Sequence, residues 1–581
     1  MFKNEFFKKL WQLTKPYWRS SDRGWGYLLL SLTIILNLGT VALSVLLNQW
    51  SARFFNAIQD YNKEAFVKEL WVFTGLAFIF VAVAIYKFVT QSQLIIRWRN
   101  WLTDHYLDRY LANQGYYRMQ LSQSNNPSLD NPDQRIATDV GAFVAQTLSL
   151  AMNLLNALVT LVSFTVILWG LSGVVHLTLP SFMGGAVIPI YGYLLWIAIV
   201  YAGFGTWIVF KIGRPLIALT YRKEAVEAAM RFSLIRLREQ GEGVAIYHGE
   251  PAESVTLKAR LSAVIEIMIK VLRQTKIIIA VRSVYGQLAN IFPYIVVAPR
   301  YFAKEISFGT MTQTAGAFGQ VQDSLSILID SYTSIAEWQA VINRLHDFNH
   351  GVLTIGLTID QYHQQQKRSL AADGAKFDLD ISDLQVFLPD GRMVHSLKSL
   401  QVKSGDSLLI TGTSGSGKTT LLRVLAGVWP YWHGTIVMAG EPWERLFLPQ
   451  RPYLPEGSLA SALAYPRPIH LLTAEERAEF SKVLEITNLE FLTSRLDEIG
   501  QWSQSLSPGE QQRLAIARLL LLKPKLAFLD EATSALDEQT EAKIYQAIRQ
   551  HLPKLTLVSV GHRQTLSQFH NQTLHIERSL D

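Results

Sequence analysis

Apolar residues gather into long uncharged runs over the first 335 positions, then give way to short runs separated by turn-forming residues. Six runs, residues 26–47, 70–88, 144–172, 186–210, 277–298 and 311–335, are read as membrane spans, each near the roughly 20 helical residues that cross a bilayer core of about 30 Å. The sixth is the most interrupted, by Gln313, Gln320, Gln322, Asp323 and Asp330. Basic residues alternate as six crossings require. The N-terminal segment, the stretch from Lys87 to Arg135 (with Arg97, Arg99, Arg109 and Arg118) and the stretch from Lys211 to Lys276 are rich in Lys and Arg, which predicts the cytoplasmic side. Residues 173–185 hold no Lys or Arg, and residues 300–310 hold only Arg300 and Lys304, which predicts the outer side. An even number of crossings puts the N-terminus and everything after Glu337 in the cytoplasm.

The two inward connections are much longer than turns and keep a helical period, so the spans are expected to continue as helices below the membrane. Bends are signalled at Asn125, Asn126, Pro127, Asn131 and Pro132 in the first, and near Gly241, Gly243 and Gly249 in the second. Ahead of the first span, Phe2, Phe6, Leu10, Leu13 and Tyr17 recur every three or four residues beside Lys3, Lys8, Lys9 and Lys15. That pattern predicts an amphipathic helix lying on the cytoplasmic leaflet. A polar stretch containing Gln364, Gln365 and Gln366 separates the membrane half from a strand-rich part starting at Phe377. The expected organisation is an amphipathic helix (1–24), a six-helix membrane domain (25–345), a linker (346–375) and a second domain (376–581).

Composition agrees with membrane insertion: 49% of residues are hydrophobic, 17% are charged and the mean hydropathy is +0.15. The net charge of +7 sits in the inward connections and forms no dense stripe, so it predicts orientation and no nucleic-acid partner. With no cysteine, disulfides, thiolate metal sites and cysteine nucleophiles are excluded.

The second domain carries the chemistry. An apolar strand, 407–411, runs into Gly412, Thr413, Ser414, Gly415, Ser416, Gly417, Lys418, Thr419 and Thr420, followed by the helical pattern Leu421, Leu422, Leu425. This is a phosphate-binding loop in its required strand–loop–helix context. Its glycines let successive N–H groups turn toward phosphate oxygens at a helix N-terminus, Lys418 reaches the terminal phosphates of ATP, and Thr419 offers a hydroxyl to Mg²⁺. A second apolar strand, 526–529, ends in Asp530 and Glu531, two carboxylates that are costly to bury without a cation or a proton to handle. Asp530 is expected to hold Mg²⁺ through water, and Glu531 to orient or deprotonate the attacking water.

The run Leu506-Ser507-Pro508-Gly509-Glu510-Gln511-Gln512-Arg513, before an amphipathic helix, resembles the signature of the ATP-binding cassette (ABC) ATPases, usually Leu-Ser-Gly-Gly-Gln. The other motifs of that family follow the same order: Gln450 in Pro449-Gln450-Arg451-Pro452, Asp537 in Ser534-Ala535-Leu536-Asp537, and His562 after the strand 556–560. The resemblance implies an ABC exporter-type fold, an α-helical six-span membrane domain followed by an α/β P-loop NTPase cassette. It implies that Ser507 and Gly509, with Glu510 beside them, contact the γ-phosphate held by a second copy's phosphate loop, so that the chain works as a homodimer. It further implies that Gln450 senses Mg²⁺ and the membrane domain, Asp537 links the two sites and His562 contacts the γ-phosphate. Pro508 departs from the pattern by removing a backbone donor, and the aromatic ring that usually stacks on adenine falls at Leu388.

Asn131-Pro132-Asp133-Gln134-Arg135-Ile136, Arg97-Trp98-Arg99-Asn100-Trp101-Leu102 and Ala336-Glu337-Trp338-Gln339-Ala340-Val341 resemble the bacterial SbmA/BacA-like branch, related to the peroxisomal fatty-acyl subfamily D. The resemblance implies an ATP-driven transporter in a bacterial inner membrane, moving a hydrophilic or amphipathic solute such as a peptide, a cobalamin-like compound or an acyl-CoA. The alternative is an ATP-gated pore or a regulatory membrane protein. Gln313 and Gln320, with Asp323 and Asp330, recur at seven-residue spacing. They either line a wet cavity or satisfy one another between helices.

Overall fold

The computed structural model describes residues 4–123, 132–178, 187–363, 366–372, 375–413, 415–469 and 471–577. The first expected bend, at Asn125, Asn126, Pro127 and Asn131, lies outside them, as do Phe2, Gln364, Gln365 and Ser414. Two compact units emerge. One comprises residues 1–108 and 131–348, the other residues 109–130 and 349–581.

The first unit is helical: α1 (Asn4–Thr14), α2 (Arg23–Gln59), α3 (Lys63–Leu111), and, past the short α4 (Gly115–Gln123) of the other unit, α5 (Val140–Ser172), α6 (Tyr193–Glu239), α7 (Gly241–Ile246), α8 (Glu250–Phe302) and α9 (Phe308–Asp330), leading into α10 (Tyr332–His363). Four of the expected spans, 26–47, 70–88, 144–172 and 277–298, fall inside single helices; the described part of 186–210 begins as strand and becomes helical only at Tyr193, and 311–335 crosses the break between α9 and α10 at Ser331. By length and apolarity, however, only four helical segments qualify among the described residues: Arg23–Gln59, Lys63–Leu121, Pro132–Ser172 and Tyr193–Glu239. The last two spans, in α8 and α9, are too polar for that test. The polarity of α9 has a packing reason. α9 lies against α5, α2, α6 and α8, with Ala317, Phe318 and Val321 fully buried, so it faces protein on most sides. Between α5 and α6, β1 (Val174–Thr178) pairs antiparallel with β2 (Val187–Tyr191). The second inward bend is α7, followed by His248 in the left-handed region at φ 51°.

Two expectations need correction. The apolar face of α1 does not lie free for the membrane surface: Phe6, Leu13 and Tyr17 are buried, Phe6 meets Trp338 edge-on at 5.3 Å, and Tyr17 stacks on Trp98 at 5.4 Å. Phe7 and Trp11, one turn apart, are the exposed aromatic residues of α1. The stretch 346–375 is not an open linker either. α10 continues through it to His363, and β3 (Gln366–Leu370) pairs with a cassette strand, so the second unit begins at Asn349.

That second unit has two sheets. β4 (Phe377–Phe387), β5 (Met393–Lys403), β7 (Trp432–Met438) and β3 form a four-stranded sheet in the order β3-β7-β4-β5. β6 (Ser407–Gly412), β8 (Arg445–Leu448), β9 (Leu526–Asp530), β10 (Thr556–Val560) and β11 (Gln572–Ile576) form an all-parallel sheet in the order β11-β6-β10-β9-β8. Its strands read as continuous apolar runs because both faces are covered: Leu408, Ile410, Phe528 and Val558 pack toward the first sheet and Leu409, Ala527, Leu529 and Leu557 toward the helices. Leu121 of α4 packs against the same core as Leu408 and Phe528, so the segment before the first bend belongs to the cassette's own packing.

Candidate functional site

In an open parallel sheet, ligands gather beyond the carboxyl ends of the strands. Here the phosphate loop leaves β6, His562 follows β10, Asp530 and Glu531 end β9, and Gln450 follows β8, so four neighbouring strands deliver the candidate residues to one edge. The loop's conformation demands glycine. Gly412 has φ 148°, and a Cβ there would stand 2.2 Å from the Ile576 carbonyl oxygen; Gly417 has φ 92°, and a Cβ would stand 2.4 Å from Val394. Gly417 caps α11 (Lys418–Ala426), which places Lys418, Thr419 and Thr420 in its first turn.

The Lys418 ammonium donates to the carbonyls of Gly412 (2.9 Å) and Thr413 (2.8 Å), curling the loop around it. Burial pulls its pKa below the ordinary lysine value, with Glu531 and Asp530 acting in opposition. The Thr419 hydroxyl donates to Asp530 Oδ1 at 3.2 Å. Burial raises the Asp530 pKa, and this hydrogen bond offsets part of the effect. Glu531 sits at φ 50°, a left-handed conformation that a non-glycine residue adopts at a cost of about 1–3 kcal/mol. Its two oxygens are shared: Oε2 accepts from Gln450 Nε2 at 3.0 Å and Oε1 lies 3.1 Å from His562 Nε2. Three residues from three strand ends therefore meet on one carboxylate.

Comparison with known proteins decides the family. Residues 13–302 match the family described as ABC transporter transmembrane region 2, and residues 397–534 match the family described as ABC transporter. The chain is 34% identical to the chloroplastic ABC transporter D family member 2 of Arabidopsis thaliana, over 98% of its own length and 86% of that protein's. The chain belongs to the ABC transporters. It is 31% identical to the inner membrane ABC transporter ATP-binding protein YddA of Escherichia coli, over 95% of this chain and 94% of that one. In fold it resembles a bacterial Atm1-family ABC exporter with ATP bound, at TM-score 0.71 and 17% identity over 94% of each chain. It is a half-transporter, one membrane domain fused to one ATPase cassette, related to subfamily D, and its ATP hydrolysis is coupled to transport.

Among the described residues, the signature of this half-transporter makes no hydrogen bond to the phosphate loop of its own chain. Ser507 and Gly509 begin α14 (Pro508–Leu522), numbered after α12 (Leu459–Ala464) and α13 (Ala474–Ile486), and the neighbours of Gly509 are Ala535 and Leu536. Asp537 caps α15 (Glu538–His551), accepting from the Thr540 N–H at 2.9 Å and the Thr540 hydroxyl at 2.7 Å, bonds that hold its pKa down.

The geometry also explains Pro508. Ser507 is the N-cap of α14, Pro508 is the first helical residue, and Glu510 completes a capping box: the Ser507 N–H and hydroxyl donate to Glu510 Oε2 at 2.8 and 2.7 Å. At that first position a backbone N–H has no intrahelical acceptor, so proline removes a donor the helix does not use and pre-sets its φ. The Ser507 hydroxyl, with its N–H, holds the Glu510 carboxylate below the ordinary glutamate pKa.

Sequence reasoning passed over two sets of residues. Gln512, 4% exposed, donates through Nε2 to the Gln450 carbonyl (3.1 Å) and Ser534 Oγ (3.2 Å), and its Oε1 accepts from the Ala535 N–H (2.8 Å). It ties the Gln450 segment to the turn after Glu531. Gln512→Ala leaves these buried groups unpaired and is expected to lower kcat for ATP about tenfold with little change in KM, measured in steady-state hydrolysis. Equal losses in kcat and binding would contradict a positioning role. Buried Glu541 accepts from the Thr533 hydroxyl (2.6 Å) and pairs with Arg563 (3.1 Å), next to His562. The signal for both sets is a polar residue in an apolar helix pattern, which by itself does not name a partner.

No aromatic ring occupies the Leu388 position. The β4–β5 turn closes with the Leu388 N–H donating to the Arg392 carbonyl at 2.8 Å, and the Phe387 ring lies against His433 at 4.9 Å. Further along β5, His395 is buried beside Gly417, its Nε2 has no partner, and burial pushes its pKa from 6.5 down to about 4. Between those two values the unfolded chain binds a proton that the folded one refuses, so stability falls as pH falls through this window. At 1.36 kcal/mol per unit the ceiling is about 3 kcal/mol. His395→Leu is expected to flatten the pH dependence of the cassette's thermal transition between about pH 6.5 and pH 4; an unchanged slope would contradict it.

Proposed function

We propose that the chain works as a homodimeric, ATP-driven pump for a hydrophilic or amphipathic solute in a bacterial inner membrane, with its N-terminus and cassette in the cytoplasm. The observation that carries this reading is the convergence of Gln450, Glu531 and His562 within hydrogen-bond reach, beside a phosphate loop whose Thr419 meets Asp530. The relative named as an inner membrane protein supports the location. The motif resemblance supports placement near the SbmA/BacA-like branch.

The residues present fit a magnesium ion: the Thr419 hydroxyl in the first turn of α11, the Asp530 carboxylate at the end of β9, 3.2 Å from that hydroxyl, and the Gln450 amide oxygen after β8 are hard donors. Bound there with ATP, Mg²⁺ would supply charge neutralisation of the phosphates. The chain's own groups do the rest. N–H groups of Gly415, Ser416 and Gly417 and the Lys418 ammonium hold the phosphates, Glu531 orients the attacking water and accepts its proton, and His562 faces the γ-phosphate while steadying Glu531. The strained backbone at Glu531 and the grip of Gln450 fix the carboxylate before ATP arrives.

Among the described residues, Ser507 and Gly509 have neighbours in Glu510, Ala535 and Leu536 and no hydrogen bond to the phosphate loop of their own chain, which supports their serving a second copy's ATP. Closure of two cassettes on ATP would shift the membrane helices through α4 and α7, and hydrolysis would reset them. Counterflow-free uptake assays in proteoliposomes test the pump against a gated pore: solute accumulated above its external concentration, only with hydrolysable ATP, is expected. Flux that stops at equal concentrations would sustain the pore.

A further inference from the structure

α2, α3, α5 and α9 border an open pocket of about 430 Å³, within the range of small-molecule sites. Its wall carries hydroxyls and amides from all four helices, Thr40 and Ser44, Gln91, Asn156 and Gln320, and one charge, Lys87. None of the lining residues is acidic. Among the described residues the Lys87 ammonium has no hydrogen-bonding or ion-pairing partner, and Asn156 Oδ1 is buried with no donor. A buried polar atom such as Asn156 Oδ1 is normally paired, because leaving it unpaired costs free energy. Lys87 stands at the inner end of the 70–88 span, and an ionisable residue there that faces polar groups of neighbouring helices marks a contact on a solute or ion path.

We propose that this pocket is an anion subsite on the solute path, in which Lys87 neutralises a carboxylate or phosphate of the transported solute while the surrounding amides and hydroxyls bind its polar remainder. The inference rests on the transport reading and adds the sign of the solute's charge. Lysine suits the task as a compact charge with three donors, able to meet either anion without the planar match that arginine requires. Four helices contribute to the wall, so occupancy ties α9, at the centre of the bundle, to the peripheral α3.

The test is equilibrium binding to the full chain in zwitterionic-lipid nanodiscs, with empty nanodiscs subtracted. The probes share one coumarin body and carry a carboxylate, a phosphate, a carboxamide or a trimethylammonium group. The wild type is expected to bind the carboxylate or phosphate probe at least about tenfold more tightly than the carboxamide; which anion binds better separates the two sources. Lys87→Gln is expected to erase the preference and Lys87→Arg to keep it. Lys87→Glu is expected to transfer it to the trimethylammonium probe, a reversal that misfolding cannot produce. Equal binding of charged and neutral probes by the wild type, or an anion preference surviving in Lys87→Gln, would overturn the proposal. ATP hydrolysis by the wild type without probe is measured in the same nanodiscs. Its absence would count against the pump itself, whereas hydrolysis with charge-blind binding would count only against the subsite.

Discussion

Glu531→Gln is expected to lower kcat for ATP hydrolysis by at least about 100-fold while ATP still binds. The substitution keeps the size of the side chain, so the bonds from Gln450 (3.0 Å) and toward His562 (3.1 Å) can re-form on an amide. What is lost is the negative charge that draws a proton from water. Solute uptake should stop with hydrolysis, and single-turnover experiments should find ATP trapped intact. Hydrolysis at the wild-type rate would remove Glu531 from the catalytic role and return attention to His562.

Lys418→Ala is expected to act earlier, weakening ATP binding about 10- to 100-fold, the scale of a charged hydrogen bond worth about 1.5–3 kcal/mol. The ammonium is buried in a loop of backbone groups, so its removal also leaves the carbonyls of Gly412 and Thr413 without the donor that curls the loop. The two substitutions therefore separate: Glu531→Gln spares binding and Lys418→Ala does not. Fluorescent-nucleotide titration of the full chain distinguishes them, and an unchanged affinity in Lys418→Ala would contradict the phosphate assignment.

The cassette was legible because its chemistry forces unusual sequences. A glycine-spaced loop before Lys418 and two carboxylates at the end of a buried strand are expensive arrangements, and the structure places both at one sheet edge. The role of Pro508 was not legible, since its effect depends on falling at the first position of α14 rather than one residue away. Gln512 and Glu541 were hidden for a similar reason. Each satisfies partners 8 to 62 residues distant in sequence, and such pairings follow from the fold, not from local pattern.

In the membrane half the period of the helices was readable, and their surroundings were not. Phe6 and Leu13 of α1 follow the spacing of a membrane-surface helix, but Trp338, far along the chain, covers that face. The polar residues of α8 and α9 lower their apolarity below that of an independent span; α9 packs against four helices and needs few lipid-facing side chains, whereas α8 keeps exposed Ile279, Val284, Leu288 and Ile295. The stretch 346–375 reads as polar, and β3, exposed along most of its length, is recognisable only through its pairing with β7.

The central claim is that each ATP site is completed by two copies of this chain, and complementation between inactive copies tests it most directly. Lys418→Ala disables a phosphate loop, and Ser507→Arg disables a signature. Each homodimer alone should be inactive, because both of its sites carry the defect. Mixed dimers of the two variants, isolated through different affinity tags, collect both defects in one site and leave the other intact. The account predicts that ATP hydrolysis returns in the mixed dimer. Hydrolysis absent there, yet retained when a chain carrying both substitutions is paired with the wild type, would show that each copy completes its own site and would contradict the account.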